Sequence, residues 1–197
     1  MTRRRLEGEK TKQHIAEKAT ELFAQKGYAA TSIEDICLAA DASKGSLYYH
    51  FKNKEQLFLY LLEKNQQEWE EKWARYSAPY PTATEKLYAL ADFFVDEFLN
   101  HPLKKAAEEF SGSKLAEPEI LEQVINLTKT AHQVYIPIFE KGIEAGEFEA
   151  DEPAALAYLL DGFLSGVCSA AYYDHPDQLH TYMRKSIDVF IKGTGKK

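Results

Sequence analysis

Residues 31–54 read TSIEDICLAADASKGSLYYHFKNK, and the fold turns on this stretch. Thr31 offers a helix N-cap with Glu34 three residues on, the spacing of a capping box. Ile33, Ile36 and Cys37 give the helix it opens one apolar face. The compact run Ala39-Ala40-Asp41-Ala42 lets two helices cross closely. Ser43 then caps another short helix, reaching about His50, with Leu47 and Phe51 pointing inward. Two short helices joined by a tight turn are the arrangement that lays the second helix in a DNA major groove. Lys44 at a helix start can reach a guanine edge, and Gly45 lets the backbone approach the bases. A tyrosine ring touches a thymine methyl while its hydroxyl reaches a phosphate, which gives Tyr48 and Tyr49 a use. His50 ends the helix, and Thr31, Ser43, Lys52 and Lys54 are the candidate phosphate contacts. The competing reading makes Tyr48, Tyr49 and Phe51 core aromatics and the lysines solvated. Adjacent helix positions diverge by about 100°, so both tyrosines cannot face a core that Leu47 and Phe51 already fill. At least one stands outward, and that favours DNA.

Outward from this stretch the chain reads as helix nearly throughout. Ile15, Ala19, Leu22 and Phe23 mark an amphipathic helix from Lys10 to Lys26, with Gly27 at its C-terminal position. Asn53 and Gln56 form a capping pattern that opens a long helix to about Tyr76. The run Ser77-Ala78-Pro79-Tyr80-Pro81 is the best linker candidate. Beyond it, Leu87, Leu90, Ala91, Phe94 and Phe98 mark one helix, and Leu103, Ala106, Ala107 and Phe110 a shorter one. A third is expected from about Glu119 to Glu144, kinked by Pro137. The last two are expected over Pro153–Tyr173 and Pro176–Lys192. No internal repeat or convincing strand is found, so the fold class is all-α. The first domain is expected over 1–55, with its helix-turn-helix at about 31–50, and the second over 56–197.

Composition excludes several classes. Of 197 residues, 45% are hydrophobic and 28% charged, the balance of a soluble globular protein. The two cysteines, Cys37 and Cys168, sit far apart, which excludes a disulfide framework or zinc finger and points to a cytoplasmic location. Basic residues at the N-terminus lack a following apolar run, so no signal peptide is expected there. Charge is segregated: residues 1–54 carry ten Lys/Arg against seven Asp/Glu, whereas the rest carries fourteen against twenty-four. A basic head on an acidic body points the head at a polyanion, or reflects chance segregation on a solvated surface.

From His14 through Phe58 the pattern AxxLFAxKGYxATSIxDI, then AxxSKGSLYYHFKNKEQLF, resembles the TetR family of bacterial transcriptional regulators. The resemblance implies a cytoplasmic homodimer whose N-terminal helix-turn-helix binds a near-palindromic operator. A long helix joins it to C-terminal helices that bind a small inducer and dimerise. It assigns the backbone-contacting positions to Thr31, Ser43, Tyr49, His50 and Lys54, and the base-facing ones to Lys44, Gly45 and Tyr48. Trp69 to Trp73 and His101-Pro102-Leu103 look closest to the multidrug-binding branch. Asn65 and Gln66 stand where that branch has a pair of acids, and Phe98 replaces another. A pocket is therefore implied, without the acids used there for cationic drugs.

The helix over residues 153–173 holds a single charge, Asp161, among 21 positions. Leu156, Leu160, Phe163, Leu164, Val167 and Ala171 make one face; Ala155, Tyr158, Gly162, Ser165 and Ser169 the opposite, with Gly166 near its edge. A membrane span is disfavoured, because Asp161 would cost roughly 2.5–3.5 kcal/mol at a bilayer centre. The small face is read as packing on a second copy, with Tyr182, Met183 and Phe190 of the last helix alongside; burial within one chain is the alternative. Pocket candidates are Trp69, Trp73, Phe94, Glu97, Phe98, Phe110, Thr128, His132 and Tyr135, a mix suited to a largely apolar effector with one polar group. Taken singly, each reads first as ordinary core, because aromatic stripes at helical spacing usually are. No GxSxG, phosphate loop or HExxH is present, so no enzyme and no cofactor is expected. Asp174-His175-Pro176-Asp177 with His180 resembles a metal set only faintly and reads as a helix junction. An all-helical enzyme or a scaffold without DNA binding is the alternative, and neither explains the Lys44–Lys54 surface.

Overall fold

In the computed structural model residues 3–99, 101–112 and 118–194 are described. The helices are α1 (Arg3–Lys26), α2 (Ile33–Ala39), α3 (Lys44–His50), α4 (Lys54–Ser77), α5 (Ala83–Leu99), α6 (Lys104–Ser111), α7 (Pro118–Thr130), α8 (Ile136–Glu144), α9 (Pro153–Asp174) and α10 (Leu179–Thr194). No strand occurs among the described residues. The chain forms two compact units, Met1–Gln66 with His101–Thr128, and Gln67–Asn100 with Lys129–Lys197.

In the first unit, Gly27 ends α1 with φ +84°, a left-handed conformation that glycine adopts without strain. The capping box at α2 lies one residue later than the sequence spacing predicts. Ser32 Oγ accepts from the Asp35 N–H at 3.0 Å, and Asp35 Oδ2 accepts from the Ser32 N–H at 3.2 Å. Thr31 does not serve because its hydroxyl is committed inward, donating to the Gly27 carbonyl at 2.7 Å. Ser43 caps α3 as expected, its Oγ accepting from the Ser46 N–H at 3.1 Å. Asn53 opens α4 through the Gln56 N–H at 2.8 Å. Ile15, Phe23, Ile36, Leu47, Phe51 and Phe58 fill the core, joined by Leu103, Phe110, Ile120 and Val124 from α6, α7 and the residue before α6.

The second unit packs α5, α8, α9 and α10 around Leu87, Leu90, Val95, Phe139, Leu160, Leu164, Met183 and Ile187. The helix expected over 119–144 is divided. A 3-10 stretch, Ala131–Tyr135, separates α7 from α8, and Pro137 lies in the first turn of α8, where its missing N–H leaves no helical bond unmade. The last helix likewise begins at Leu179 after a 3-10 turn over Pro176–Gln178. Glu147 accepts from the Ala83 and Thr84 N–H groups at 3.0 and 2.8 Å, capping α5. Gly142 is obligatory, since a Cβ there would fall 2.3 Å from the Phe148 ring.

α9 is long and apolar enough to cross a membrane by length and composition alone, yet a third of its most apolar window, 33%, is buried in the unit. Leu156, Leu160, Leu164, Cys168 and Ala171 face the core. Phe163, expected among them, is exposed instead: four residues after Leu159 and three before Gly166, it shares their open side of the helix.

Candidate nucleic-acid interface

α3 is held from beneath by Leu47, fully buried, and by Phe51 just past its end. Its other side is open: Lys44 and Gly45 are exposed, and Tyr48 and Tyr49 are 51% and 83% exposed. Two neighbouring tyrosines left in water beside a filled core mark a surface built for contact. The Tyr49 ring stands edge-on to His50, with centroids 5.0 Å apart. Ser43 and Lys52 are exposed and His50 is half-buried at the border of the same surface.

Lys44 pairs with Glu34 of α2, a partner that the sequence reading missed. The hydrogen bond from Lys44 holds the Glu34 carboxyl below its usual range, and Glu34 raises the Lys44 ammonium in return. The pair is exposed and screened by solvent, so Glu34 can release Lys44 to another partner at little cost.

Two candidate phosphate contacts fall away. Thr31 is buried, its hydroxyl bonded to the carbonyls of Gly27 and Leu22, so no phosphate reaches it. Lys54 donates to the carbonyls of Tyr28 and Thr31, both at 3.0 Å, with its ammonium 4.2 Å from the Tyr28 ring centroid. Burial lowers its pKa, partly offset by Glu55. Its role is to tie the α1–α2 turn to α4. The same turn is tied to α6, where Glu109 accepts from the Ala29 N–H at 3.1 Å. Local spacing carried no sign of that bond, since its partners lie eighty positions apart.

The pocket candidates divide between the units. Trp69, Trp73 and Tyr135 share one aromatic cluster with Phe93: Trp69 lies 5.3 Å and Trp73 5.5 Å from Phe93, and Trp69 6.3 Å from Tyr135. Trp73 and Tyr135 are buried, and burial raises the Tyr135 phenol pKa. Phe94 is half-buried against the same core. Glu97, on α5, holds Lys72 of α4 at 3.0 Å. Phe110 does not join them: it is fully buried in the first unit, 4.8 Å from Tyr28 and 5.2 Å from Phe58, and is core there. The side chains of Phe98, Thr128 and His132 lie outside the described residues.

Of the candidate dimer residues, Tyr158, Gly162, Ser165, Gly166 and Ser169 line the exposed side of α9. Tyr182 and Phe190 are half-buried against the core of their own unit. Met183 is fully buried within that core and has no surface to offer a second copy. Among the described residues no group of three or more His, Cys, Asp or Glu could hold a metal ion.

A capped helix pair presenting an open Lys-Gly-Tyr-Tyr surface, followed by a separate helical unit, defines a helix-turn-helix DNA-binding regulator. Residues 15–61 match the model for bacterial regulatory proteins of the tetR family, and residues 65–196 match that for the C-terminal region of QacR-like proteins. The chain belongs to the TetR family, in its QacR-like branch, and is a ligand-responsive transcriptional regulator, not an enzyme. It is 29% identical over 178 residues to the transcriptional regulator QacR of Staphylococcus aureus, covering 90% of this chain and 95% of that protein. It is 28% identical to a probable acrEF/envCD operon repressor of Escherichia coli, over 84% of this chain and 77% of that one. The fold is shared with a putative TetR-family regulator from Mesorhizobium loti (TM-score 0.77, 21% identity, 100% of both chains). It is also shared with FadR from Bacillus subtilis in complex with stearoyl-CoA (TM-score 0.73, 20% identity, 92% and 98% of the chains).

Proposed function

We propose that this protein is a cytoplasmic, homodimeric repressor that leaves a near-palindromic operator when a small, largely apolar effector binds its second unit. The observation that carries the DNA reading is the open face of α3, where Lys44, Gly45, Tyr48 and Tyr49 stand in solvent above a packed core. Lys44, Gly45 and Tyr48 take the base edges; Ser43, Tyr49, His50 and Lys52 take phosphates. In a dimer the two α3 helices would enter successive major grooves about 34–36 Å apart. The exposed side of α9, with Tyr158, Leu159, Phe163 and Tyr173 around its small residues, supports a second copy as its cover.

The effector class rests on the Trp69–Trp73–Phe93–Tyr135 cluster, apolar apart from a buried phenol, with Glu97 engaged by Lys72. The relatives support repression and small-molecule control: one is named an operon repressor, and the FadR structure contains stearoyl-CoA. The chain passes from the first unit to the second within α4, so an effector that favours one placement of this helix shifts the DNA-binding equilibrium. The shift is bounded by the effector's differential affinity for the two states.

The test is selection of duplexes from random and genomic DNA by the purified protein at stated salt, beside a Lys44→Ala/Tyr48→Ala variant. A recovered inverted repeat bound by the wild type and lost by the variant is expected. Weak, salt-sensitive binding without sequence preference, equal in both, would overturn the reading.

A further inference from the structure

With Thr31 buried and Lys54 tied to carbonyls, the phosphate contacts drawn from residues 31–54 reduce to Ser43, Tyr49, His50 and Lys52. A helix lying in a major groove about 12 Å wide is bordered by a phosphate strand on each side. On one side of α3 stands α2, through the Lys44–Glu34 pair. On the other stands the N-terminal half of α1. A Cβ on Gly8 would lie 4.0 Å from His50 Cε1, near the end of α3. Six residues further along α1, His14 shares a groove with Ser43 and Ser46 at the start of α3. α1 therefore runs alongside α3 in the opposite direction.

That groove has a volume of about 480 Å³, and its polar lining comes from Lys10, Thr11, His14, Asp41, Ser43 and Ser46. Lys10, His14 and Ser43 are exposed. The assembly offers an ammonium, an imidazole and the two serine hydroxyls within one depression, beside the surface read above as facing DNA. Two acids temper it. Asp41 lines the same groove, held at φ +46°, and Glu7 shares the α1 stripe of Lys10, Thr11 and His14 by helical spacing. Ile15, Ala40 and Ala42 supply only an apolar floor.

We infer that this groove is a second DNA contact, seating a backbone phosphate of the strand on the α1 side of the recognition helix. Lys10 supplies the charge, and His14, Ser43 and Ser46 the hydrogen bonds, since the Thr11 hydroxyl already donates to the Glu7 carbonyl at 3.0 Å. Phosphate contacts carry no base information, so the site sets affinity and register without altering sequence preference. Asp41 works against it, and this gives the site a signature of two opposite signs. The inference rests on the DNA-binding reading of α3.

The experiment uses the full chain and a duplex recovered by selection on the wild-type protein, titrated between about 50 and 200 mM salt. Lys10→Gln is expected to weaken binding about three- to tenfold and to make the log–log salt slope shallower by about 0.9, the value of one phosphate contact. Asp41→Asn, which keeps a residue type tolerant of positive φ, is expected to tighten binding about threefold. Both positions are exposed, so thermal unfolding of each variant should match the wild type. Unchanged affinity and slope for Lys10→Gln, or equal weakening by both variants, would overturn the inference while leaving the α3 reading intact. Failure of the wild type to select any sequence would remove the reading beneath it.

Discussion

The Glu109 carboxylate of α6 accepts a hydrogen bond from the Ala29 N–H at 3.1 Å and lies where a Gly27 side chain would be. A Cβ on Gly27 would fall 2.3 Å from Glu109 Oε1. Gly27 thus meets two demands at once, a φ of +84° and the close approach of a carboxylate. Glu109→Ala is expected to cost about 1 kcal/mol, the value of a partly exposed charge-assisted bond to backbone, and to weaken operator binding although Glu109 is not on the α3 surface. Gly27→Ala should cost about 1–2 kcal/mol from backbone strain alone, with the clash added. In a double-mutant cycle by urea denaturation, removing Glu109 should recover the clash component but not the strain. Strict additivity of the two changes would show that the contact carries no energy.

On the proposed reading, Glu34 and the DNA compete for Lys44. Glu34→Gln removes both the competing acceptor and a negative charge next to the candidate groove-facing surface. Operator affinity should rise about three- to tenfold, with the gain shrinking as salt increases, because the pair is exposed and screened. Lys44→Ala should lose affinity whether or not Glu34 is present. A Glu34→Gln variant that bound more weakly would mean the pair positions Lys44 for DNA and does not restrain it.

What the sequence made legible was local. Caps at Ser43 and Asn53, the end of α1 at Gly27 and the inward pair Leu47 and Phe51 each depend on residues within four positions, and pattern alone locates them. What escaped it was contact at a distance. Thr31 has the chemistry of a cap, but its hydroxyl is captured by the Leu22 and Gly27 carbonyls, and Ser32 takes the cap instead. Lys54 reads as a surface cation until carbonyls 26 and 23 residues back are placed under its ammonium. An apolar stripe says that Phe110 is buried and is silent on which core receives it. Pro137 announces an irregularity, but the pattern does not say that the helix stops at a 3-10 stretch and restarts rather than bends.

Glu147 gives the second unit an acid-sensitive cap. Burial alone would raise its pKa, but the Thr84 and Ala83 N–H bonds outweigh it and hold the carboxyl below the usual range. A carboxylate whose pKa is lower when folded contributes stability above its unfolded value, about 4.3, and loses it as pH falls through the folded value. Its worth at neutral pH is about 1 kcal/mol once solvent screening is allowed for. Glu147→Gln should therefore melt below the wild type at pH 7, and the gap should narrow below about pH 4.3 and close as pH falls through the lowered folded-state value. A gap that persisted at low pH would assign the difference to packing instead of charge.

The exposed side of α9 permits a variant that separates assembly from folding. A Cβ at Gly162 or Gly166 would meet nothing within 4 Å, so arginine fits at either position in a single copy. Replacing a helix-interior glycine should even favour the helix, by up to about 1 kcal/mol. If Tyr158, Gly162, Ser165, Gly166 and Ser169 close against a second copy, Gly166→Arg drives a long cation into a surface made of small residues. The expected outcome is unchanged or slightly raised helicity and melting temperature at low protein concentration. Sedimentation should fall to that of a 22.5 kDa monomer, and affinity for the full inverted repeat should drop far more than affinity for a half-site. A Gly166→Arg protein that still sedimented as a dimer would move the interface off this side of α9. A dimer that persisted while half-site and full-site affinities became equal would show that α9 sets the spacing of the two heads without holding the copies together.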